Sequence, residues 1–156
     1  MNAKKINNNF EPYKRVVKFA GSAIIVLLEL AAYYYVWMNY YNRNMTVAFW
    51  RRGNWLIAGE YLILSLVLHR LYGGLKVGIY KYWTLVYSHM LSIVGVNAFS
   101  YVQVVLFDKK MHNPAALLGL TALDFVMVLL WALAFKKIYA AMFPKRRLLL
   151  IYGKKP

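Results

Sequence analysis

The stretch AALLGLTALDFVMVLLWALAF, residues 115–135, carries a single charged side chain, Asp124. As a helix rising about 1.5 Å per residue it reaches roughly 30 Å, the thickness of a bilayer's hydrocarbon core. Pro114 before it suits a first helical turn, because proline lacks only an N–H that a helix start leaves unpaired anyway. The apolar run is continuous, with no ten-residue alternating segments, so a helix fits and a barrel strand does not.

Working outward, three more segments have this character. Span one runs from about residue 16 to 38, with Ala-Ile-Ile-Val-Leu-Leu at 23–28 and a cluster of Tyr and Trp at its end. That cluster is expected at the headgroup level, where rings are half wet. Span two covers about 55–71 and span three about 82–107; residues 115–135 form span four. The connecting loops are short, and Gly73, Gly74 and Gly78 supply flexible turns. Short links make sequential helices antiparallel neighbours. The expected fold is an all-α membrane protein, a four-helix up-down transmembrane bundle.

Composition agrees. Apolar residues with tyrosine make up 62% of the 156 residues, and 20 Lys+Arg face 5 Asp+Glu. Four spans take up most of the apolar content and leave no room for a soluble catalytic domain of ordinary size. Fifteen of the 20 cations fall in the N-terminal segment, the second loop and the segment after span four. The positive-inside rule then puts both termini in the cytoplasm. Residues 1–15 read as a basic cytoplasmic N-terminus and 16–143 as the membrane domain. The first span is too long for a signal-peptide core and lacks a small-x-small cleavage site, so it reads as retained. Cations beside hydrophobic runs point to the bilayer and its anionic lipids as partner, not nucleic acid.

Other classes fall on residue types. There is no cysteine, so disulfides, thiol chemistry and Cys-ligated zinc are excluded. The three histidines, His69, His89 and His112, lie far apart with no HxH or HxxxH spacing, which argues against a metal site. His89 reads as a packing histidine. No glycine-rich phosphate loop and no GxSxG are present.

Three of the five acids, Glu29, Glu60 and Asp124, fall inside spans. A charge there is costly, so such groups face the bundle interior. Counting from the outer span ends puts Glu29, Asn97 and Asp124, with Thr121, in one central layer. Glu60, Ser100 and Gln103 form a shallower cluster. Asn97, Ser100 and Gln103 recur at threes, which keeps them on one helix face. Interhelical hydrogen bonds that fix the bundle are one reading. A proton-coupled or cation-binding carboxylate is the other. With no intramembrane Lys or Arg, Glu29 and Asp124 are expected to be uncharged or to share protons. Ser88, Ser92 and Gly95 form a small-residue strip that admits a close neighbour. Lys136, Lys137, Lys145, Arg146 and Arg147 form a basic cytoplasmic rim.

After Pro144 the run Arg146-Arg147-Leu148-Leu149-Leu150-Ile151-Tyr152-Gly153 reads as a buried first strand turning into a loop. With it, the stretches Leu71-Tyr72-Gly73-Gly74-Leu75-Lys76-Val77-Gly78 and Ser88…Leu91-Ser92…Asn97…Ser100-Tyr101…Gln103 resemble the N-terminal membrane domain of the bacterial polyprenyl glycosylphosphotransferases, which prime exopolysaccharide and capsule synthesis. The resemblance covers most of the chain from about residue 50. It implies a larger plasma-membrane enzyme that transfers sugar-1-phosphate from a nucleotide sugar to undecaprenyl phosphate with Mg²⁺. Catalysis would lie in a C-terminal domain, with a Rossmann-like domain between, so residues 144–156 would be that domain's start. No catalytic, cofactor-binding or metal residue of the family carries over to this chain, which is expected to be inactive alone, an anchoring and self-associating domain. Its basic rim would attract anionic lipid or polyprenyl phosphate. The rival class, on four helices with a glutamate in the first, resembles the small multidrug exporters that exchange protons for cations.

Overall fold

The computed structural model of the chain describes residues 12–76 and 81–143. Helix α1, Lys14–Val36, runs on through a π turn at Trp37–Tyr41 into a last helical turn, α2, Asn42–Asn44. Then come α3 (Arg51–Tyr72), α4 (Tyr82–Asp108) and α5 (Ala115–Met142). No strand occurs among the described residues. Four rods, Lys14–Asn44, Arg51–Tyr72, Tyr82–Asp108 and Ala115–Met142, are long and apolar enough to cross a membrane. The fold is a four-helix bundle that fits a multi-pass membrane protein. Contacts run α1 to α3, α3 to α4, α4 to α5 and α5 back to α1, a closed ring of neighbours. The RRLLLIYG stretch, Gly78 and nearly all of the basic N-terminus lie outside the described residues.

Each helix buries one stripe and offers apolar side chains on its other faces as well. Phe19, Ile63, Leu106, Leu118 and Leu130 are all exposed. A helix apolar all round suits a membrane. The buried stripe of α3 is Asn54, Ile57, Ala58, Tyr61, Ser65 and His69, and that of α5 is Leu117, Leu120, Asp124, Val128 and Ala132. Both step by three or four residues, the helical period.

The first rod is longer than the sequence suggested. Part of its aromatic run supplies the core: Tyr33, Trp37 and Tyr41 are buried, while Tyr35 is exposed. In an α-helix a step of four residues overshoots one turn by about 40°. A π turn winds more slowly, so the step from Trp37 to Tyr41 corrects the drift and all three rings stay inward. Tyr33 stacks on Tyr61 of α3, centroids 3.9 Å apart and planes within 10°. The Trp37 Nε1–H donates to Asn54 Oδ1 at 2.9 Å. Span two, read as about 55–71 with an end that Trp50 can extend, starts at Arg51 directly after Trp50 and has 22 residues.

Breaks between helices are chemically specified. Gly73 ends α3 with φ 83°, a left-handed conformation natural to glycine. At the other end of the bundle the Thr46 N–H donates to Asp108 Oδ1 at 2.8 Å, and His112 Nε2 lies 2.8 Å from Asp108 Oδ2. The Tyr41 and Tyr101 hydroxyls donate to the carbonyls of Asn113 and His112.

Candidate functional site

The bundle interior holds a chain of polar side chains from all four rods. On α1, Glu29 is 1% exposed. It sits between an apolar layer at Ile25 and Val26 and the aromatic layer that starts at Tyr33. On α3, Ser65 and His69 lie one turn apart and both are buried. His89 and Asn97 on α4 and Asp124 on α5 are buried as well.

Glu29, His69 and His89 meet. Glu29 Oε1 lies 3.5 Å from His69 Nε2 and 3.6 Å from His89 Nδ1. Those two nitrogens are 2.9 Å apart. The other ring nitrogen of His69, Nδ1, is 2.8 Å from the Ser65 carbonyl. A carbonyl only accepts, so Nδ1 carries a proton, and in the neutral ring Nε2 is then the lone-pair nitrogen facing the cluster. Ser65 Oγ donates to Glu29 Oε2 across 3.5 Å. The imidazole planes meet at 64°, and Trp131 packs against His89 with centroids 5.4 Å apart. Gly74 closes the cluster from the α3–α4 turn. A Cβ placed there would come within 2.8 Å of His69 Cδ2, so the backbone approaches as only glycine allows.

A second group lies next to it, toward the Asn44 end of α1. The Tyr61 hydroxyl donates to Asn97 Oδ1 at 3.1 Å. Asn97 Nδ2 donates to Thr121 Oγ1 at 3.0 Å and to Asp124 Oδ2 at 3.3 Å. Thr121 donates onward to the Leu117 carbonyl. Two carboxylate oxygens, Glu29 Oε1 and Asp124 Oδ1, are buried with no hydrogen-bond partner among the described residues. Such atoms cost free energy in a dry interior unless something else satisfies them.

The structure thus brings Asn97, Thr121 and Asp124 together, while Glu29 turns to two histidines. The physical reason is the length of the first rod. With its outer end at Asn44, Glu29 lies about 15 residues down, roughly 22 Å, level with Ser65 on α3. Helical side chains also lean toward their own N-terminus, which carries the Glu29 carboxylate further toward His69 and His89. Of the shallower cluster, Gln103 Nε2 hydrogen-bonds Glu60 Oε2, and Ser100 is buried on the same face of α4. Lys136 and Lys137 lie on α5 near its end; Lys145, Arg146 and Arg147 lie outside the described residues. Lys136 sits over the Tyr82 ring, Lys18 over Tyr139 and Lys14 over Phe143, with centroid distances of 5.7 to 5.9 Å. These contacts tie the starts of α1 and α4 and the end of α5 into one basic end of the bundle.

The histidine pair escaped a reading by linear spacing, because His69 and His89 stand twenty residues apart on facing helices. The signal that finds them is depth. His69 lies about 18 residues below Arg51 and His89 about 19 below Asp108, the same level once the hairpin is folded at about 1.5 Å per residue. Comparison with protein-family models, with curated proteins and with solved structures finds no match.

Proposed function

We propose that the chain is the membrane domain of a bacterial polyprenyl glycosylphosphotransferase, where it anchors the enzyme in the plasma membrane and helps it self-associate. The observation that carries this reading is the more basic end of the bundle. Both bundle termini emerge there, beside Lys14, Lys18 and Lys136. A phosphate-bearing lipid and a nucleotide sugar are both anions, and cations at one bilayer face concentrate them. Next to this end an apolar groove of about 470 Å³ runs between α1 and α3, lined by Lys18, Phe19, Ala23, Leu27 and Leu66. Its chemistry suits an isoprenoid tail with its phosphate at the Lys18 ammonium. The stretches that carry the resemblance also have structural work: Gly73-Gly74 closes over His69, and Ser92, Asn97 and Ser100 line the inner face of α4.

Deleting the coding region in the source cell tests the reading. Polyprenyl-linked sugar phosphate in membrane extracts is expected to fall to background; an unchanged level refutes the proposal. Glu29 buried against two imidazoles is the one observation that favours a proton-coupled cation exporter instead. That reading requires Glu29→Gln to abolish cation efflux from loaded vesicles.

A further inference from the structure

The Glu29–His69–His89 cluster has a geometry that hydrogen bonding alone does not use up. Glu29 Oε1, His69 Nε2 and His89 Nδ1 form a triangle with sides of 3.5, 3.6 and 2.9 Å. A divalent ion bound tetrahedrally at about 2.0–2.1 Å holds its ligand atoms about 3.3–3.4 Å apart. The triangle's sides bracket that edge. Its equidistant point lies about 1.9 Å from each atom, so an ion placed slightly above the plane meets all three at bonding distance.

Three further observations point the same way. The Ser65 carbonyl holds the His69 Nδ1 proton, so in the neutral ring the lone-pair nitrogen is Nε2, at a corner of the triangle. A backbone or carboxylate partner on the far nitrogen is how metal-bound imidazoles are oriented. Glu29 Oε1 is buried and has no hydrogen-bond partner among the described residues, and a cation would satisfy it. The third observation is charge. Glu29 and Asp124 are buried acids, and no Lys or Arg is buried among the described residues. A divalent ion with both carboxylates ionised is neutral overall, which removes the cost of lone charge in a span. Asp124 Oδ1 is likewise buried with no hydrogen-bond partner among the described residues.

We infer that Glu29, His69 and His89 form a buried binding site for one first-row divalent transition-metal ion, with Zn²⁺ as the best-matched probe. Two imidazoles and a carboxylate select zinc and its neighbours over Mg²⁺ and Ca²⁺, which prefer all-oxygen shells. The ligands come from α1, α3 and α4, so the ion clasps three of the four rods. The site stands apart from the proposed transferase reading: it is built from this chain's own residues and holds whether or not the chain serves a transferase.

The test uses the full chain in detergent micelles, stripped with chelator, exposed to Zn²⁺ and desalted. Wild-type protein is expected to retain about one zinc per chain and to melt several degrees higher with the ion than without it. Glu29→Gln, His69→Gln and His89→Gln are each expected to weaken zinc binding by at least about tenfold, while His112→Gln, at the opposite end, keeps it. Because a variant in the core can lose its fold, zinc-edge X-ray absorption on the wild type supplies an independent readout. Two imidazole nitrogens in the shell support the site. Wild-type protein that retains no zinc and melts identically with and without it overturns the inference, leaving a hydrogen-bonded histidine pair. Retained zinc with fewer than two imidazoles, or zinc lost equally in His112→Gln, overturns it as well.

Discussion

The Asn97 amide is the best place to measure what the polar interior contributes to stability. It bridges two helices from a third, accepting from Tyr61 on α3 and donating to Thr121 and Asp124 on α5. Tyr61→Phe removes one hydroxyl and keeps the ring that stacks on Tyr33 at 3.9 Å, so it isolates a single hydrogen bond. Interhelical hydrogen bonds in membranes contribute about 0.6 kcal/mol on average and up to about 1.7. Tyr61→Phe should therefore cost about 0.6–1.7 kcal/mol. Asn97→Ala loses that bond and the two to α5; at the same rate for three bonds it should cost about 1.8–5 kcal/mol. Thr121 keeps its bond to the Leu117 carbonyl, which limits the loss on that side. The double mutant should cost less than the sum of the singles by the Tyr61–Asn97 coupling, about 0.6–1.7 kcal/mol. Reversible unfolding in mixed micelles, followed by helical circular dichroism, measures all four corners of the cycle. A coupling below about 0.3 kcal/mol, the additivity error for independent sites, would refute the bridge.

Four other outcomes are expected. Gly74→Val puts a branched Cβ 2.8 Å from His69 Cδ2 and should destabilise by about 1–3 kcal/mol through overpacking, read as a lower unfolding midpoint; an unchanged midpoint removes the close approach from the account. Gly73→Ala, at φ 83°, should cost about 1–2 kcal/mol from the left-handed backbone alone, and Gly73→Asn less. The chain has no cysteine, so single cysteines report topology cleanly: at exposed Val47 and Met111 they should react with a membrane-impermeant thiol reagent on intact cells, while one at Tyr13 should react only after permeabilisation. In proteoliposomes with nucleotide sugar, undecaprenyl phosphate and Mg²⁺, this chain alone should form no lipid-linked sugar phosphate; formation of product would place the chemistry within these four helices.

Much of the fold is legible because membrane spans are written in bulk properties. Residues 115–135 need only a sum of hydropathy and a length, and the short loops then force antiparallel neighbours. Asn97, Thr121 and Asp124 also come together where depth counting puts them, since α4 and α5 are joined by a short turn whose ends the sequence marks. Two features were hidden. Trp50–Asn54 carries two arginines and looks like loop, yet Arg51 starts α3, because at a bilayer surface a charged first turn costs little and its head group reaches water. The rod beyond Met38 was hidden for a different reason. Tyr40, Tyr41 and Asn42 are ordinary interfacial residues by composition, and nothing local announces a π turn.

That turn has consequences at the far end of the helix. If α1 stopped near Met38, Glu29 would lie at the level of Asn97 and Asp124, and two unneutralised carboxylates would share one layer. Continuing the rod to Asn44 lowers Glu29 by about four to six residues, roughly 6–9 Å, and brings it to the imidazoles. The same continuation packs Trp37 and Tyr41 inward, with Trp37 bonded to Asn54 and Tyr41 to the Asn113 carbonyl. Those contacts fix the axial position of α1 against α3 and α5, and hence the 3.5 and 3.6 Å separations of Glu29 from the two rings. Register in the aromatic half of the bundle therefore sets ligand geometry in the other half. Trp37→Ala, which removes the anchor about 12 Å along the axis from Glu29, should weaken zinc binding without touching a ligand. Equal zinc affinity in Trp37→Ala and wild type would show that the cluster holds its own register.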